Sequence, residues 1–162
     1  MATFQLVIGA AVWLALTFGA AWLGARFRPG AWYRHLAKPT WNPPNSIFAP
    51  VWTVLYLLMA IAAWLVWKRA GVADALLPLT LFLVQLLLNA AWSWLFFGLH
   101  RPDAALIDIV VLWVLILATL LAFWSREPLA GVLLLPYLAW VSFATALNWA
   151  IWRMNREHSH VV

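Results

Sequence analysis

Five apolar runs, each long enough to cross a lipid bilayer, leave this chain of 162 residues little room for anything but membrane-spanning helices. The runs extend from Met1 to Ala25, Pro39 to Trp67, Ala75 to Leu99, Ala104 to Ser125 and Pro128 to Trp152, and Asp108 is the one charged side chain within them. A helix rising about 1.5 Å per residue needs roughly 20 such residues to cross hydrocarbon about 30 Å thick. A transmembrane β-barrel would instead show segments of about ten residues with period-two alternation, which Leu76 to Leu88 lacks. With 67% hydrophobic and 9% charged residues and a mean hydropathy of +0.90, the composition is that of a membrane protein. The prediction is an all-α membrane protein, a single domain over residues 1–162. Its helices are expected at about 4–27, 47–68, 76–98, 103–124 and 129–152, with a structured first loop at about 28–46 acting as a lid.

The first run has no basic region before it and is longer than the apolar stretch of a secretory signal, so it is predicted to be a permanent helix with its N-terminus outside. The net charge of +5 is explained by topology. With five spans, Arg26, Arg28, Arg34, Lys38, Arg101, Arg153 and Arg156 fall on one side, against Lys68, Arg69 and Arg126 on the other. The positive-inside rule places the lid and the C-terminus in the cytoplasm and removes any need for a nucleic-acid partner. The absence of cysteine excludes disulfides and thiolate metal sites. His35 and His100 are loop residues and His158 and His160 belong to the tail, so no metal cluster is expected. Pro50, Pro78 and Pro128 lie in or near first helical turns, whereas Pro136 falls inside the fifth span and is expected to bend it. Trp64, Trp67, Trp124, Trp149 and Trp152 sit near span ends as interfacial anchors.

Polar and aromatic groups within the spans face neighbouring helices or a cavity. Gln85, Asn89 and Ser93 recur at spacing four, with Trp92 on the same face, while Tyr137, Trp140, Ala144 and Asn148 form a stripe on the fifth span. The second span adds Trp52 and Tyr56, and the fourth adds Asp108, for which pairing with Arg101 is the simplest role. At about 1.5 Å per residue, Trp52, Asn89, Trp92, Asp108, Ala144 and Asn148 lie roughly 5 to 15 Å from the lid face. The expectation is an indole-lined cavity beneath residues 32–45, suited to a large flat ligand with a small polar fringe. The competing reading is that Gln85, Ser93, Trp52 and Trp140 only join helices. Small-residue stripes at Ala11, Ala15 and Gly19 and at Ser142, Ala146 and Ala150 suit close helix packing, within the chain or in a homodimer.

The loop Trp32-Tyr33, then Lys38-Pro39-Thr40-Trp41-Asn42-Pro43-Pro44, then Trp52-Thr53-Val54-Leu55-Tyr56, resembles the signature of the TspO/MBR family of tryptophan-rich sensory proteins. Asn89-Ala90-Ala91-Trp92-Ser93 and Pro136-Tyr137 with Trp140, Phe143-Ala144 and Leu147-Asn148 match its third and fifth helices. The resemblance implies a five-helix bundle, usually a homodimer, binding porphyrins such as protoporphyrin IX, sterols and synthetic benzodiazepine-type ligands under the first loop. It implies pocket indoles at Trp52 and Trp140, a ligand-bonding amide at Asn89, a neighbouring aromatic at Trp92, a small residue at Ala144 and closing aromatics at Trp32 and Tyr33. Vertebrate members carry a cholesterol-recognition tyrosine just after the helix-five asparagine. Here Asn148 is followed by Trp149 and Ala150, which weighs against cholesterol.

Three function classes follow. A receptor or carrier would bind a tetrapyrrole, with sterols as a second class and no obligatory cofactor. An enzyme degrading porphyrin with light and oxygen would use Trp52 and Trp140 as reactive indoles; no conventional catalytic group is present. A transporter would move porphyrin or lipid, although no internal repeat supports it. The expected location is a bacterial cell membrane, with bilayer lipid as the constant partner.

Overall fold

The computed structural model describes residues 1–156, so His158 and His160 lie outside the described residues. Helices α1 (Thr3–Ala25), α2 (Ala31–His35), α3 (Asn45–Asp74), α4 (Leu76–Ser93), α5 (Pro102–Arg126) and α6 (Pro128–Asn155) follow in order, with no strand among the described residues. A π-helical turn, Trp94–Gly98, continues α4. Five elements are long and apolar enough to span a membrane: α1, α3, α4 with its π turn, α5 and α6. The chain is an all-helical, multi-pass membrane protein.

Helices α3 and α6 run past the ends of their apolar runs, to Asp74 and Asn155. A helix satisfies its own backbone polar groups, so it continues beyond the hydrocarbon until something stops it. For α3 the interruption is Gly71, with φ 75° and ψ 170°, a conformation that only glycine adopts without strain. At its other end α3 starts at Asn45, so Pro50 lies in the second turn rather than the first. Pro136 stands within α6, which runs without a break from Pro128 to Asn155.

The helices form a ring in the order α1, α3, α6, α5, α4, in which α1 meets both α3 and α4. Lipid offers no hydrophobic drive between helices, so close packing and interhelical hydrogen bonds must hold the ring. On α3, Ala62 and Ala63 are fully buried beside Met59 and Val66, letting neighbouring backbones approach. Phe82 of α4 is central: it meets Trp13 of α1 edge-on at 5.9 Å and stacks on Phe123 of α5 at 5.8 Å. Helix α1 is fixed to α3 by the Trp64 indole, which donates to the Leu6 carbonyl at 3.0 Å. A side chain at Gly9 would meet the Trp67 ring at 2.1 Å, so this crossing needs glycine.

The lid end of the bundle gathers the last turns of α1 and α6, the start of α3 and the α4–α5 turn. At the opposite end Arg69 pairs with Glu127 at 3.2 Å, and Arg126 donates to the Asp74 carbonyl at 3.2 Å, tying the α3–α4 and α5–α6 turns together. Basic side chains lie over indoles at both ends: Lys68 on Trp64 at one, Arg26 on Trp22, Arg153 on Trp149 and Arg156 on Trp152 at the other. An apolar ring carrying a charged neighbour suits the membrane–water boundary.

Candidate functional site

The interior polar groups form one directed chain of hydrogen bonds. Tyr56 donates its hydroxyl to Asn89 Oδ1 at 2.7 Å, Asn89 Nδ2 donates to the Tyr137 hydroxyl at 2.7 Å, and Tyr137 donates to Gln85 Oε1 at 2.7 Å. Gln85 Nε2 ends the chain at Met59 Sδ, 3.8 Å away. Three helices are joined, and in a low-dielectric interior each bond polarises the next. Gln85 therefore joins helices, as its competing reading held. Asn89 is already engaged by two tyrosines and keeps one N–H and one oxygen lone pair for any further contact.

Next to this chain lies the aromatic cluster. Trp52 stacks on Tyr56 at 5.5 Å and meets Trp140 at 6.3 Å with the ring planes 89° apart. Phe48 and Phe143 flank Trp140 at 5.9 and 5.5 Å, and Trp41 of the lid meets Phe143 at 5.7 Å. Trp52 and Trp140 are both half-buried. Among the described residues three buried side-chain polar atoms have no hydrogen-bond partner: Trp140 Nε1, Asp108 Oδ2 and Thr17 Oγ1. Ala144 packs against the same core.

A second cluster supports the lid. Tyr33, 4% exposed, packs with Phe96, Leu147 and Ile151. Trp92 belongs to both clusters: it stacks on Phe96 at 5.1 Å and donates Nε1 to Asn148 Oδ1 at 2.9 Å, while Asn148 Nδ2 donates to the Pro102 carbonyl at 2.9 Å. Asn148 thus holds the start of α5 against α6. Trp32 stacks on the His100 ring at 4.4 Å and 7°. His100 has φ 55°, the left-handed region in which histidine is among the tolerated residues. Tyr33 donates to Asn42 Oδ1 at 3.4 Å, and Lys38 Nζ sits 4.6 Å from the Tyr33 ring centroid. Burial raises the pKa of Tyr33 above its ordinary value, outweighing the lowering by Asn42, so the hydroxyl stays a donor.

The structure brings Trp52, Tyr56, Asn89 and Trp140 together directly and gathers Trp32, Tyr33, Trp92 and Asn148 in the adjoining cluster. Ser93 points elsewhere, toward Gly24 of α1. Asp108 does not pair with Arg101. The Arg101 guanidinium instead holds both oxygens of Asp103 at 2.9 Å, two residues away and immediately within reach. One residue that holds the lid lies outside the sequence reading. Asn155 accepts the Ala37 N–H at 3.0 Å and donates to the Ala37 carbonyl at 2.9 Å, clamping the lid backbone to the end of α6. Its spacing of seven from Asn148 puts both on one face, a signal that a search confined to the apolar spans passes over.

Fold and site together define a five-span helical membrane protein with a packed aromatic cluster and a buried tyrosine–amide chain beneath a clamped lid, the indoles meeting one another where the sequence suggested a cavity. The TspO/MBR family model matches residues 7–153. The chain is 43% identical over 138 residues to the translocator protein of Homo sapiens, covering 82% of each chain. It is 42% identical over 156 residues to the tryptophan-rich protein TspO of Chlorobaculum tepidum, covering 92% of this chain and 97% of the relative. With protein CrtK of Rhodobacter capsulatus the identity is 44% over 133 residues, covering 82% and 83%. The chain belongs to the TspO/MBR family.

Proposed function

We propose that this protein is a membrane receptor or carrier that binds porphyrins, with sterols as a second class, among the indoles beneath the lid. The observation that carries this reading is the perpendicular Trp52–Trp140 pair, bordered by Tyr56, Phe48 and Phe143, with the Trp140 N–H buried and unpartnered. Ring faces and edges presented together suit a flat aromatic macrocycle, and a buried donor without a partner favours a ligand that supplies an acceptor. The name of the human relative, a translocator protein, is consistent with handling a mobile ligand.

The same two indoles favour a second reading, in which excited porphyrin and oxygen oxidise Trp52 or Trp140. Purified protein titrated with protoporphyrin IX in the dark should bind saturably, about one ligand per chain. Loss of the porphyrin absorption band in light but not in darkness, with oxygen as the oxidant, faster with the protein than for free porphyrin and slowed in Trp52→Phe/Trp140→Phe, would establish the photochemical reading. Protein-dependent flux into sealed liposomes would establish transport. Absence of saturable binding in the dark would overturn the carrier reading.

The proposed setting is a bacterial cell membrane, with the lid and C-terminus cytoplasmic and the N-terminus outside, because most basic side chains gather at the lid end. We further propose a homodimer. Ala11, Ala15 and Gly19 are all exposed on α1, whereas on α6 Ser142 accepts the Trp113 N–H of α5 at 2.7 Å and Ala150 is half-buried, so the α1 stripe is the one offered to a second copy.

A further inference from the structure

The lid carries a second, polar recess distinct from the aromatic cluster. A surface cavity of about 350 Å³ is lined by Arg34, Lys38, Asn42 and Asn45 with Tyr33 and two prolines. Every charged group in that lining is a cation. Of the acids among the described residues, Asp74 and Glu127 lie at the opposite end of the bundle, Asp103 is paired with Arg101, and Asp108 is buried between helices. Among the described residues, therefore, no carboxylate neutralises Arg34 or Lys38. Lys38 is also held in place: its ammonium donates to the Leu36 and Arg34 carbonyls at 3.2 and 3.5 Å and rests on the face of Tyr33. Two of its three donors are used, leaving one to meet a ligand.

We infer that this recess binds an oxyanion, a carboxylate or a phosphate, with Arg34 and Lys38 supplying the charge and Asn42 and Asn45 the amide donors. A guanidinium beside a fixed ammonium, with amides nearby, is a donor set matched to such oxygens. The recess adjoins the aromatic cluster through the chain: Asn42 follows Trp41, whose ring meets Phe143, which in turn meets Trp140. On the reading of the indole site as a porphyrin site, on which this part of the inference rests, the oxyanion is a carboxylate on the edge of the macrocycle. The other source of the same chemistry is the phosphate of an anionic lipid headgroup at the membrane surface.

The test compares protoporphyrin IX, which carries two free carboxylates, with its dimethyl ester, by tryptophan quenching in the dark. The wild-type chain should bind the free acid about tenfold or more tightly than the ester. The Arg34→Gln/Lys38→Gln variant should bind both like the ester, and Arg34→Lys/Lys38→Arg should keep most of the discrimination, which separates lost charge from a disturbed lid. In parallel, spin-labelled phosphatidylglycerol and phosphatidylcholine in phosphatidylcholine bilayers report headgroup preference. A phosphatidylglycerol preference abolished in the glutamine variant, with acid and ester bound alike by the wild type, assigns the oxyanion to lipid. If neither discrimination exists, or neither changes in the glutamine variant, the oxyanion site is wrong. Failure of both porphyrin and ester to saturate would reject the porphyrin reading alone, and the lipid measurement would then decide the oxyanion site.

Discussion

Tyr137 is the side chain on which the interior network turns, because its hydroxyl accepts from Asn89 and donates to Gln85. Tyr137→Phe leaves an amide N–H and an amide oxygen buried without partners, and should destabilise the protein by about 1–2 kcal/mol. Tyr56→Phe removes only the terminal donor and should cost less. Equilibrium unfolding in detergent checks both, and equal effects would contradict the directed chain. Gln85, Asn89 and Tyr137 were legible in the sequence because polar groups within apolar spans must find partners. Their partners were not, because spacing along one helix says nothing about which neighbour it faces. Ser93 shows the limit: it continues the Gln85–Asn89 row but meets α1. Asp108 shows another, since charge alone suggested Arg101, and Asp103 took that partner by proximity.

At the scale of elements, the lid is held by α6 through Asn155 and by the α4–α5 turn through the Trp32–His100 stack. Asn155→Ala removes both bonds to Ala37, and the Ala37 amide should exchange with deuterium about tenfold or more faster, a loss of roughly 1–2 kcal/mol in local opening. Unchanged exchange would show that the clamp does not hold the lid. The α1–α3 crossing offers an independent check. Gly9→Ala places a methyl within the Trp67 ring, and the forced repacking should cost about 1–3 kcal/mol, read as a lower thermal midpoint. The five spans were legible because lipid demands long apolar helices. Their ring order was not: a chain with short turns suggests neighbours in sequence, yet α1 stands against α4 and α6 against α3.

Across the whole molecule, charge distribution sets the proposed orientation, and the absence of cysteine makes it directly measurable. Thr40→Cys in the lid should react with a membrane-impermeant maleimide only from the cytoplasmic side, and Val72→Cys, exposed at the other end, only from outside; the reverse pattern would invert the topology. Family membership extends over nearly the whole chain, so the fold around the site is a shared frame. What this chain does within it depends on whether the crossed indoles form a binding surface. The measurement that addresses this most directly is a dark titration with protoporphyrin IX of the wild type and of Trp52→Phe/Trp140→Phe, with far-ultraviolet circular dichroism confirming that the variant remains helical. The account predicts saturable binding that weakens by about tenfold or more when both indoles are replaced, at roughly 1 kcal/mol for each lost aromatic contact. Equal affinity in a folded double variant would contradict the indole site.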